Sequence, residues 1–185
     1  MKLFKNWKMK VNKYSISLRL VEEQDANFII SIRNDDKKAR FISRTYPDVE
    51  LQKKWIKEYK KREKNGEEFY FIATDGNNED FATYRIYKIE SGLPEIGSWV
   101  SKPNYSNPLN SLKVDVIIKN YVFDELGFDK LQFEVRKLNH SVVKYHQMFS
   151  PVKVSEDKKN NYYTLEKEIF LTKLNQIENK FKFKS

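Results

Sequence analysis

The chain has no cysteine, which excludes disulfide bonds, thiolate metal sites and a cysteine nucleophile. It also has no apolar run close to the roughly 20 residues that a membrane-spanning helix needs. The basic start, MKLFKNWKMKVNK, has no apolar segment behind it, which argues against a secretory signal. No linker rich in glycine, proline or serine divides the 185 residues. We therefore expect one cytoplasmic domain with no membrane partner.

Acidic residues are outnumbered, with 26 Asp and Glu against 35 Lys and Arg, and the net charge is +9. Such a charge suits nucleic acid, an anionic membrane or a phosphate-rich ligand. The basic residues are spread along the chain, however, and most are lysine, whereas arginine is the better reader of bases. A lysine-rich solvated surface is therefore the simpler explanation, and nucleic acid is not expected as a partner.

The first part of the chain predicts one strand followed by two helices. Residues 13–22, KYSISLRLVE, alternate apolar and polar side chains as a strand does. Residues 23–35 carry Phe and Ile at helical spacing behind an acidic first turn. Residues 47–66 predict a second helix, with Asp48 as its cap and Gly66 as its stop. The buried face of this helix is predicted as Leu51, Trp55 and Tyr59.

The middle of the chain predicts strands and then a well-capped helix. Residues 67–92 contain two apolar and aromatic runs joined by DGNN, which is a hairpin signal. Residues 93–103 predict a further strand, and its internal Gly97 indicates a bulge or a close backbone approach. Residues 107–128 predict a helix with Asn107 as its cap and a proline at its first position.

The last part of the chain predicts short elements and a basic tail that could be helical. Residues 130–137 predict a strand, residues 139–149 a short helix, and residues 151–157 and 161–171 two more strands. The order β-α-α-β-β-β-α-β-α-β-β indicates an α+β fold with a mixed, mostly antiparallel central sheet flanked by helices. We expect the domain to span 13–171, with basic terminal segments at 1–12 and 172–185.

Both histidines of the chain lie in the short helix, but their spacing does not suit a metal. His140 and His146 are six residues apart, and therefore about 240° apart around a helix axis. No cysteine or convergent carboxylate accompanies them, so we expect no metal. The chain also lacks the G-x-S-x-G, G-x-x-x-x-G-K-[ST] and G-x-G-x-x-G patterns. Serine hydrolase, P-loop and dinucleotide-binding functions therefore have no local support.

Two features could bind a ligand that crosses the sheet. The helix that begins after Asn107 has first-turn amides without intrahelical partners, and such a helix end receives pyrophosphate. One strand later, Asn139 stands at a strand-to-helix junction. Its side chain could cap the short helix or hydrogen-bond an amide-bearing ligand, and the residues alone leave both roles open.

Residues 133–151, FEVRKLNHSVVKYHQMFSP, resemble the final strand and helix of the GNAT N-acetyltransferases, whose pattern is N-x-x-[SA]-x-x-[LF]-[YH]-x-[KR]-x-G-[FA]. Residues 95–103, EIGSWVSKP, are similar to the central strand of that family, and residues 107–135 to its cofactor helix and the next strand. Residues 32–35 and 52–59 resemble the substrate-side helices of members that acetylate amino-sugar nucleotides and of ribosomal-protein acetyltransferases.

The similarity extends over residues 15–170, with two departures from the family pattern. The family's pyrophosphate loop, [QR]-x-x-G-x-[GA], is replaced by NYSNPLNS, which has no glycine. The late glycine of the family is Ser150 here.

The resemblance implies a gap between two neighbouring strands that admits the pantetheine arm of acetyl-CoA, the expected co-substrate. Main-chain groups near Val100 would pair with this arm and stabilise the oxyanion of the reaction. Asn139 would reach the pantetheine amide. The cofactor-binding residues that the resemblance implies are Trp99, Val100, Ser101, Asn107, Leu109, Asn110, Ser111, Asn139, Val142 and Tyr145.

The resemblance also implies acetyl transfer to a primary amine by direct attack, through a tetrahedral intermediate. His146 stands where many members have tyrosine, and a histidinium with a pKa near 6.5 would protonate the departing thiolate. Glu95, with Asp115 as a weaker candidate, would take the proton of the amine. The simpler roles are packing for His146 and an ordinary strand-end carboxylate for Glu95. The substrate-side candidates are Arg33, Asn34, Trp55 and Tyr84.

The expected function is therefore that of an acetyl-CoA-dependent N-acetyltransferase. Its acceptor is a small-molecule amine, such as the amino group of a nucleotide-linked amino sugar. A protein N-terminus as acceptor, and a non-catalytic module that binds acyl-CoA or a partner, are the alternatives. We expect a monomer or a homodimer.

Overall fold

The fold is built on one eight-stranded sheet. The computed structural model describes residues 10–183. The sheet has the order β1-β2-β3-β4-β5-β6-β8-β7, and every neighbouring pair is antiparallel except β5 and β6. The strands are β1 (Lys10–Lys13), β2 (Ile16–Leu20), β3 (Phe69–Thr74), β4 (Asp80–Tyr87), β5 (Glu95–Ser101), β6 (Lys130–Arg136), β7 (Val152–Glu156) and β8 (Asn160–Glu166).

Within residues 10–183, five α-helices connect and follow the strands. The helices are α1 (Ala26–Arg33), α2 (Val49–Lys64), α3 (Pro108–Asn120), α4 (His140–His146) and α5 (Lys167–Phe181). The predicted α+β class and element order are confirmed, with β1 added at the start and α5 at the end. Among residues 10–183, no helix combines the length and the apolarity that a membrane span requires.

The helices cover both faces of the sheet, so the core has two layers. Phe69 and Phe71 of β3 belong to a large cluster that includes apolar residues of α3 and α5. Tyr70 and Ile72 point to the other face, where they pack against α1 and α2. These two faces, called here the α3 face and the α1–α2 face, meet at the gap described below.

The helix caps, the helix stop after α2 and the hairpin turn occur where the sequence predicts them. The side chain of Asp48 caps α2 by accepting from the amide of Leu51, and Asn107 caps α3 in the same way. Gly66 adopts a positive φ just after α2, where a residue without Cβ is favoured. The predicted hairpin joins β3 and β4.

The predicted buried face of α2 is correct at Tyr59 and wrong at Leu51 and Trp55. The buried residues are Gln52, Ile56 and Tyr59, whereas Leu51 is 51% exposed and Trp55 is 36% exposed. The aromatic ring of Trp55 stacks on that of Tyr59 at the edge of the helix rather than entering the core. The prediction placed Trp55 on the buried face because its side chain is aromatic, and that property alone does not show which face of a helix is buried.

The C-terminal segment, predicted as a basic tail that could be helical, forms a helix that packs on the core. The strand predicted to reach residue 171 ends at Glu166, and α5 begins at Lys167 and crosses the predicted boundary. Phe170, Leu174 and Ile177 recur at helical spacing and join the main core. At the other end, residues 10–12 of the predicted segment 1–12 belong to β1, and residues 1–9 lie outside the described part of the chain.

Candidate active site

The central feature of the site is a gap between the two parallel strands. β5 and β6 share one paired position, Glu95 with Gln132, next to a bond from the Gln132 amide to the Pro94 carbonyl. Beyond that position the strands pair with β4 and β8 on their outer sides but not with each other. The inner edges of β5 and β6 are therefore free along the rest of their length. The predicted gap is present.

A bulge in β5 shapes one side of the gap. Thr83 pairs with Val100 and Arg85 with Gly97, so two residues of β5 oppose Tyr84 alone. One of the two, Ser98, has a φ of 53°. A Cβ atom at Gly97 would lie 2.7 Å from the Tyr87 hydroxyl oxygen, so the predicted close approach is real.

Amide direction in β5 follows from one hydrogen bond. The amide of Lys102 donates to the Phe81 carbonyl on β4, and successive residues of a strand point their backbone groups to opposite sides. The amide of Val100 therefore faces β4, whereas those of Trp99 and Ser101 face the gap. The gap-facing amides thus belong to Trp99 and Ser101, which the sequence predicted as cofactor-binding residues together with Val100.

A cavity of about 570 Å³ passes through the sheet at the gap. At one end it is lined from the α3 face by Tyr84, Asp115, Phe133, Tyr145 and His146. At the other end it is lined by residues 37–42 of the loop between α1 and α2. Two reactants could thus approach the gap from opposite faces. Further lining residues that the sequence predicted are Trp99, Val100, Ser101, Ser111, Asn139 and Val142.

A buried carboxylate organises the floor of the cavity. The hydroxyls of Tyr84 and Tyr145 each donate to Asp115 at 2.7 Å, and Lys119 forms an ion pair with it one helical turn away. Burial and the Asp115 charge raise the pKa of both tyrosines well above the ordinary value. Burial is the largest influence on Asp115 and acts to raise its pKa, but the charge of Lys119 and the hydrogen bonds from Lys119 and Tyr84 act together in the other direction, and the net shift of the pKa is downward.

His146 is a neutral imidazole at the edge of this network. Its ring lies 4.3 Å from that of Phe133, and its buried Nδ1 has no partner among residues 10–183. Burial lowers the pKa of His146 to about 3, with the charge of Lys119 acting in the same direction and that of Asp115 against it. This shift of the pKa favours a neutral imidazole over the expected histidinium at this position. His140, six residues earlier, is exposed.

Asn139 is free to bind a ligand. It lines the cavity and precedes α4, but its side chain makes no capping bond to the helix backbone. Its Oδ1 accepts instead from the hydroxyl of Ser141 at 3.2 Å. Of the two roles that the sequence left open, capping is not the one adopted.

Glu95 lies next to the cavity rather than in its wall. It accepts from the Tyr87 hydroxyl at 2.7 Å and from the Lys88 amine at 2.6 Å. Because Glu95 and Gly97 are two residues apart on one strand, they share the α1–α2 face. The carboxylate predicted as base is thus on the face where the loop between α1 and α2 closes the cavity.

Three of the predicted substrate residues lie outside the cavity wall, while Tyr84 lies within it. Arg33 donates to the carbonyl of Ser43, and Asn34 accepts from the amide of Thr45, so both brace the loop between α1 and α2. The other outlying residue, Trp55, packs on α2. Asn107, Leu109 and Asn110 surround the start of α3 without lining the cavity.

The charged rim of the cavity was not predicted. It includes Lys37, Lys38 and Arg40 from the loop between α1 and α2, and Arg136 and Glu134 from β6. The loop has no hydrophobic period, and its run of charges, DDKKAR, resembles an ordinary solvated turn. The alternation of β6 does place Glu134 and Arg136 on the face opposite the core, but not beside a cavity.

Comparison with known proteins agrees with this geometry. A family model described as an acetyltransferase (GNAT) domain matches residues 15–148. A solved structure described as apo FdhC, a nucleotide-linked sugar GNAT, is 34% identical with a TM-score of 0.82, and the match covers 94% of this chain and 97% of that one. No curated protein matches the chain.

Two more distant structures share the fold. Ribosomal-protein-S5-alanine acetyltransferase from Vibrio fischeri is 14% identical, with a TM-score of 0.68 and coverage of 85% of this chain and 96% of that one. Mutant forms of the spermidine/spermine N-acetyltransferase SpeG from Vibrio cholerae are 14% identical, with a TM-score of 0.71 and coverage of 86% and 98%. With its parted central strands, its through-sheet cavity and a family match over most of its length, the chain belongs to the GNAT acetyltransferase family.

Proposed function

We propose that this N-acetyltransferase moves the acetyl group of acetyl-CoA to the primary amine of a nucleotide-linked amino sugar. The observation that carries the proposal is the 34% identity, over nearly the full length of both chains, to a protein described as a nucleotide-linked sugar GNAT. The two relatives at 14% identity share only the fold and do not argue for their own acceptors.

The residues around the gap fit acetyl-CoA. An extended amide-bearing arm needs free backbone groups, and the inner edges of β5 and β6 offer them beyond Glu95 and Gln132. Asn139 would hydrogen-bond an amide of the arm, and the amides of Trp99 and Ser101 would face it. Acetyl-CoA supplies an acetyl group activated as a thioester. The chain contributes a cavity that fixes this group beside Tyr84, Tyr145 and His146.

The acceptor would enter from the α1–α2 face. The loop over residues 37–42 closes this end of the cavity and carries three cations, which suit a substrate with phosphate groups. Glu95 lies on the same face, and we retain it as the candidate base for the amine proton. Its carboxylate is held by Tyr87 and Lys88, so the proton would reach it through a water or after a side-chain rotation.

His146 remains the candidate group near the departing sulfur, but as a neutral hydrogen-bond donor and not as a charged acid. A neutral imidazole donates a hydrogen bond from one nitrogen, as the uncharged histidines of some other active sites do. The paired Tyr145 hydroxyl lies on the same wall, but it already donates to Asp115. We therefore assign to His146 the hydrogen bond that the departing sulfur accepts. Asp115 would hold the Tyr84 and Tyr145 side chains in place at the floor of the cavity.

The test is the release of free thiol from acetyl-CoA in the presence of different amines. A nucleotide-linked amino sugar should give a kcat/KM at least about a hundredfold above that of the same amino sugar without its nucleotide, because the nucleotide adds binding energy. Spermidine and a peptide with an N-terminal alanine serve as the other acceptors.

A higher rate with the peptide would replace the proposal with protein N-terminal acetylation. Binding of acetyl-CoA without thiol release from any amine would indicate a non-catalytic module. Neither result would change the family to which the chain belongs.

A further inference from the structure

The candidate base stands apart from the cavity that would hold the acceptor amine. Glu95 is 7% exposed and does not belong to the residues of 10–183 that line the cavity, whereas Gly97, two positions later on β5, does. Residues two apart on a strand point to the same face and lie roughly 7 Å from each other. A proton released beside Gly97 therefore needs a carrier to reach the Glu95 carboxylate.

The Tyr87 side chain spans this interval. Tyr87 pairs with Glu95 in the register of β4 and β5, and its hydroxyl donates to Oε1 of Glu95 at 2.7 Å. The same hydroxyl oxygen lies 2.7 Å from the position that a Cβ of Gly97 would take. One oxygen atom is thus next to the base and next to the cavity wall. It lies on the α1–α2 face, from which the acceptor would enter.

The Tyr87 oxygen has a lone pair to offer to an amine. Its proton is used in the bond to Glu95, and a phenolic oxygen also accepts hydrogen bonds. Within residues 10–183, no donor is bonded to this oxygen. A side chain at position 97 would collide with the hydroxyl, and Gly97 has none. An ammonium group held beside Gly97 can therefore donate to Tyr87.

Two cations flank the pair, and each is matched by a carboxylate. The amine of Lys88 donates to Oε2 of Glu95 at 2.6 Å. The guanidinium of Arg85 lies 5.3 Å from the Tyr87 ring and forms an ion pair with Glu68 at 3.1 Å. With its second oxygen held by Lys88, the Glu95 carboxylate keeps Oε1 towards the tyrosine.

Tyr87 is a neutral hydroxyl and not a tyrosinate. Burial, followed by the charge of Glu95, raises the pKa of Tyr87 far above its ordinary value. The charge of Glu134 on β6 acts on this pKa in the same direction, and that of Arg85 acts against it. A group that keeps its proton passes another one on only by accepting and donating in the same step.

We infer that the Tyr87 hydroxyl is the proton relay between the acceptor amine and Glu95. An ammonium group beside Gly97 gives one N–H proton to the Tyr87 oxygen while the tyrosine gives its own proton to Oε1 of Glu95. The amine, now neutral, attacks the thioester carbonyl carbon. The C–N bond forms, the C–S bond breaks, and the second N–H proton ends on the sulfur. Glu95 returns its proton to solvent before the next turnover.

The relay rests on the proposed base but not on the identity of the acceptor, because every primary amine that arrives protonated must lose the same proton. It needs neither a water nor a rotation of the Glu95 side chain.

The relay is tested with Tyr87→Phe, which keeps the ring and removes the hydroxyl. The assay is thiol release from acetyl-CoA by the full chain, with the amine that has the highest kcat/KM as acceptor. At pH 7, kcat/KM for this amine should fall at least about tenfold, as expected when a proton-transfer group is lost. The variant can use only amine that arrives neutral, so below the pKa of the amine its kcat/KM should rise about tenfold for each pH unit. The unmodified enzyme also uses the protonated amine, so its kcat/KM should rise less steeply from pH 6 to pH 8.

A merely structural role of the hydroxyl would lower kcat/KM by the same factor at every pH, and such a constant factor would overturn the relay. The Kd of Tyr87→Phe for acetyl-CoA should stay within about twofold of the unmodified value. A larger loss of acetyl-CoA binding would mean a displaced strand and would overturn the relay as well. The matched control is Tyr14→Phe, which removes a hydroxyl that donates to the Glu178 carboxylate at 2.6 Å, away from the cavity. It should leave kcat/KM unchanged at each pH.

A second variant, Glu95→Gln, separates the relay from direct transfer. If the hydroxyl and the carboxylate act in sequence, Tyr87→Phe/Glu95→Gln should be slower than the slower single variant by no more than about twofold. Losses that multiply would show two independent roles and would overturn the relay. A slow Glu95→Gln beside an unaffected Tyr87→Phe would mean that the proton reaches the carboxylate without the tyrosine, and would overturn it too.

Failure of the proposed acceptor and failure of the relay are distinguishable. If the peptide or spermidine has the highest kcat/KM, the proposed acceptor is wrong, and the same pH profiles on that amine decide the relay. If the nucleotide-linked amino sugar is the best acceptor and the two profiles are parallel, the relay alone is wrong. Absence of thiol release with every amine would overturn both.

Discussion

The protonation state of His146 decides which chemistry this side chain can perform. Its ring is packed on Phe133, its Nδ1 has no described partner, and its pKa is lowered to about 3. At neutral pH it is an uncharged hydrogen-bond donor and not a proton-carrying cation. Substitution of His146 would lower kcat whether the side chain is an uncharged donor or a charged acid. The two roles are separated by how this loss of kcat depends on pH.

Replacing His146 with Phe should lower kcat at least about tenfold while leaving the Kd for acetyl-CoA nearly unchanged, because the ring volume is kept and the hydrogen bond is lost. The ratio of kcat between the unmodified enzyme and the variant should stay constant from pH 6 to pH 8, since the imidazole is already neutral there. The measurement is kcat at saturating substrates across this range.

His140→Phe, a substitution on an exposed position of the same helix, is the control and should leave kcat unchanged. A histidinium acid with a pKa near 6.5 would instead make the ratio fall about tenfold for each pH unit above that value. Equal kcat values for His146→Phe and the unmodified enzyme would remove this side chain from the mechanism.

At the scale of the element, β5 is shaped by a contact that only glycine permits. The Tyr87 hydroxyl oxygen lies 2.7 Å from the position that a Cβ of Gly97 would take, and it is held there by its hydrogen bond to Glu95. The Tyr87 side chain of β4 therefore lies against Gly97 just before the bulge, beyond which the ring of Trp99 packs on that of Tyr84. We therefore expect the backbone of β5 at the gap to depend on the contact between Tyr87 and Gly97.

Gly97→Ala should lower the free energy of unfolding by about 1–3 kcal/mol, because the new methyl group forces the Tyr87 ring or the strand to move. In a chain that already carries Tyr87→Phe, the same substitution should cost at least about 1 kcal/mol less. Without the hydroxyl, the nearest ring atoms would be 3.5 Å away, which is ordinary contact. Chemical unfolding of the four chains gives this coupling directly.

The two single variants and the double variant form their own control. Additive effects, with the cost of Gly97→Ala unchanged by the loss of the hydroxyl, would show that the close approach places no constraint on the strand.

Elements with chemical end signals were predictable, and those that depend on distant packing were not. The caps at Asp48 and Asn107, the hairpin turn and the glycine in β5 are local features that a sequence displays. The phase of α2 was misread because Trp55 was assigned to the core, whereas its ring lies at the helix edge beside Arg62 and Arg85. Only tertiary contacts reveal that position.

The same division holds for the site. Asn139, Val142, Tyr145 and His146 follow from one motif and do line the cavity. The cationic loop over residues 37–42 has no periodicity and comes to the cavity through the packing of α1 on the sheet, as in the contact of Ile32 and Ala39 with Val100. A cytoplasmic location and the oligomeric state stay predictions of the sequence.

At the scale of the whole molecule, α5 supports the active-site side of the sheet. Phe170 is fully buried, and its ring lies 5.2 Å from that of Phe123 and 5.9 Å from that of Phe149. Phe149 follows His146 by three residues and packs beside Tyr145. The helix that the sequence assigned to a tail therefore supports the segment that carries the candidate catalytic histidine.

Phe170→Ala should lower the free energy of unfolding by about 3–5 kcal/mol, because a large side chain is removed from a closed core. Leu171→Ala, at the adjacent position where the side chain is 39% exposed, should cost less than about 1 kcal/mol. The measurement is chemical unfolding of the full chain, with tyrosine and tryptophan fluorescence as the signal. Since Phe149 loses a ring partner, Phe170→Ala should also lower kcat, whereas Leu171→Ala should not. Similar small costs for the two variants would mean that α5 is an appended segment after all, and the domain would then end near Glu166.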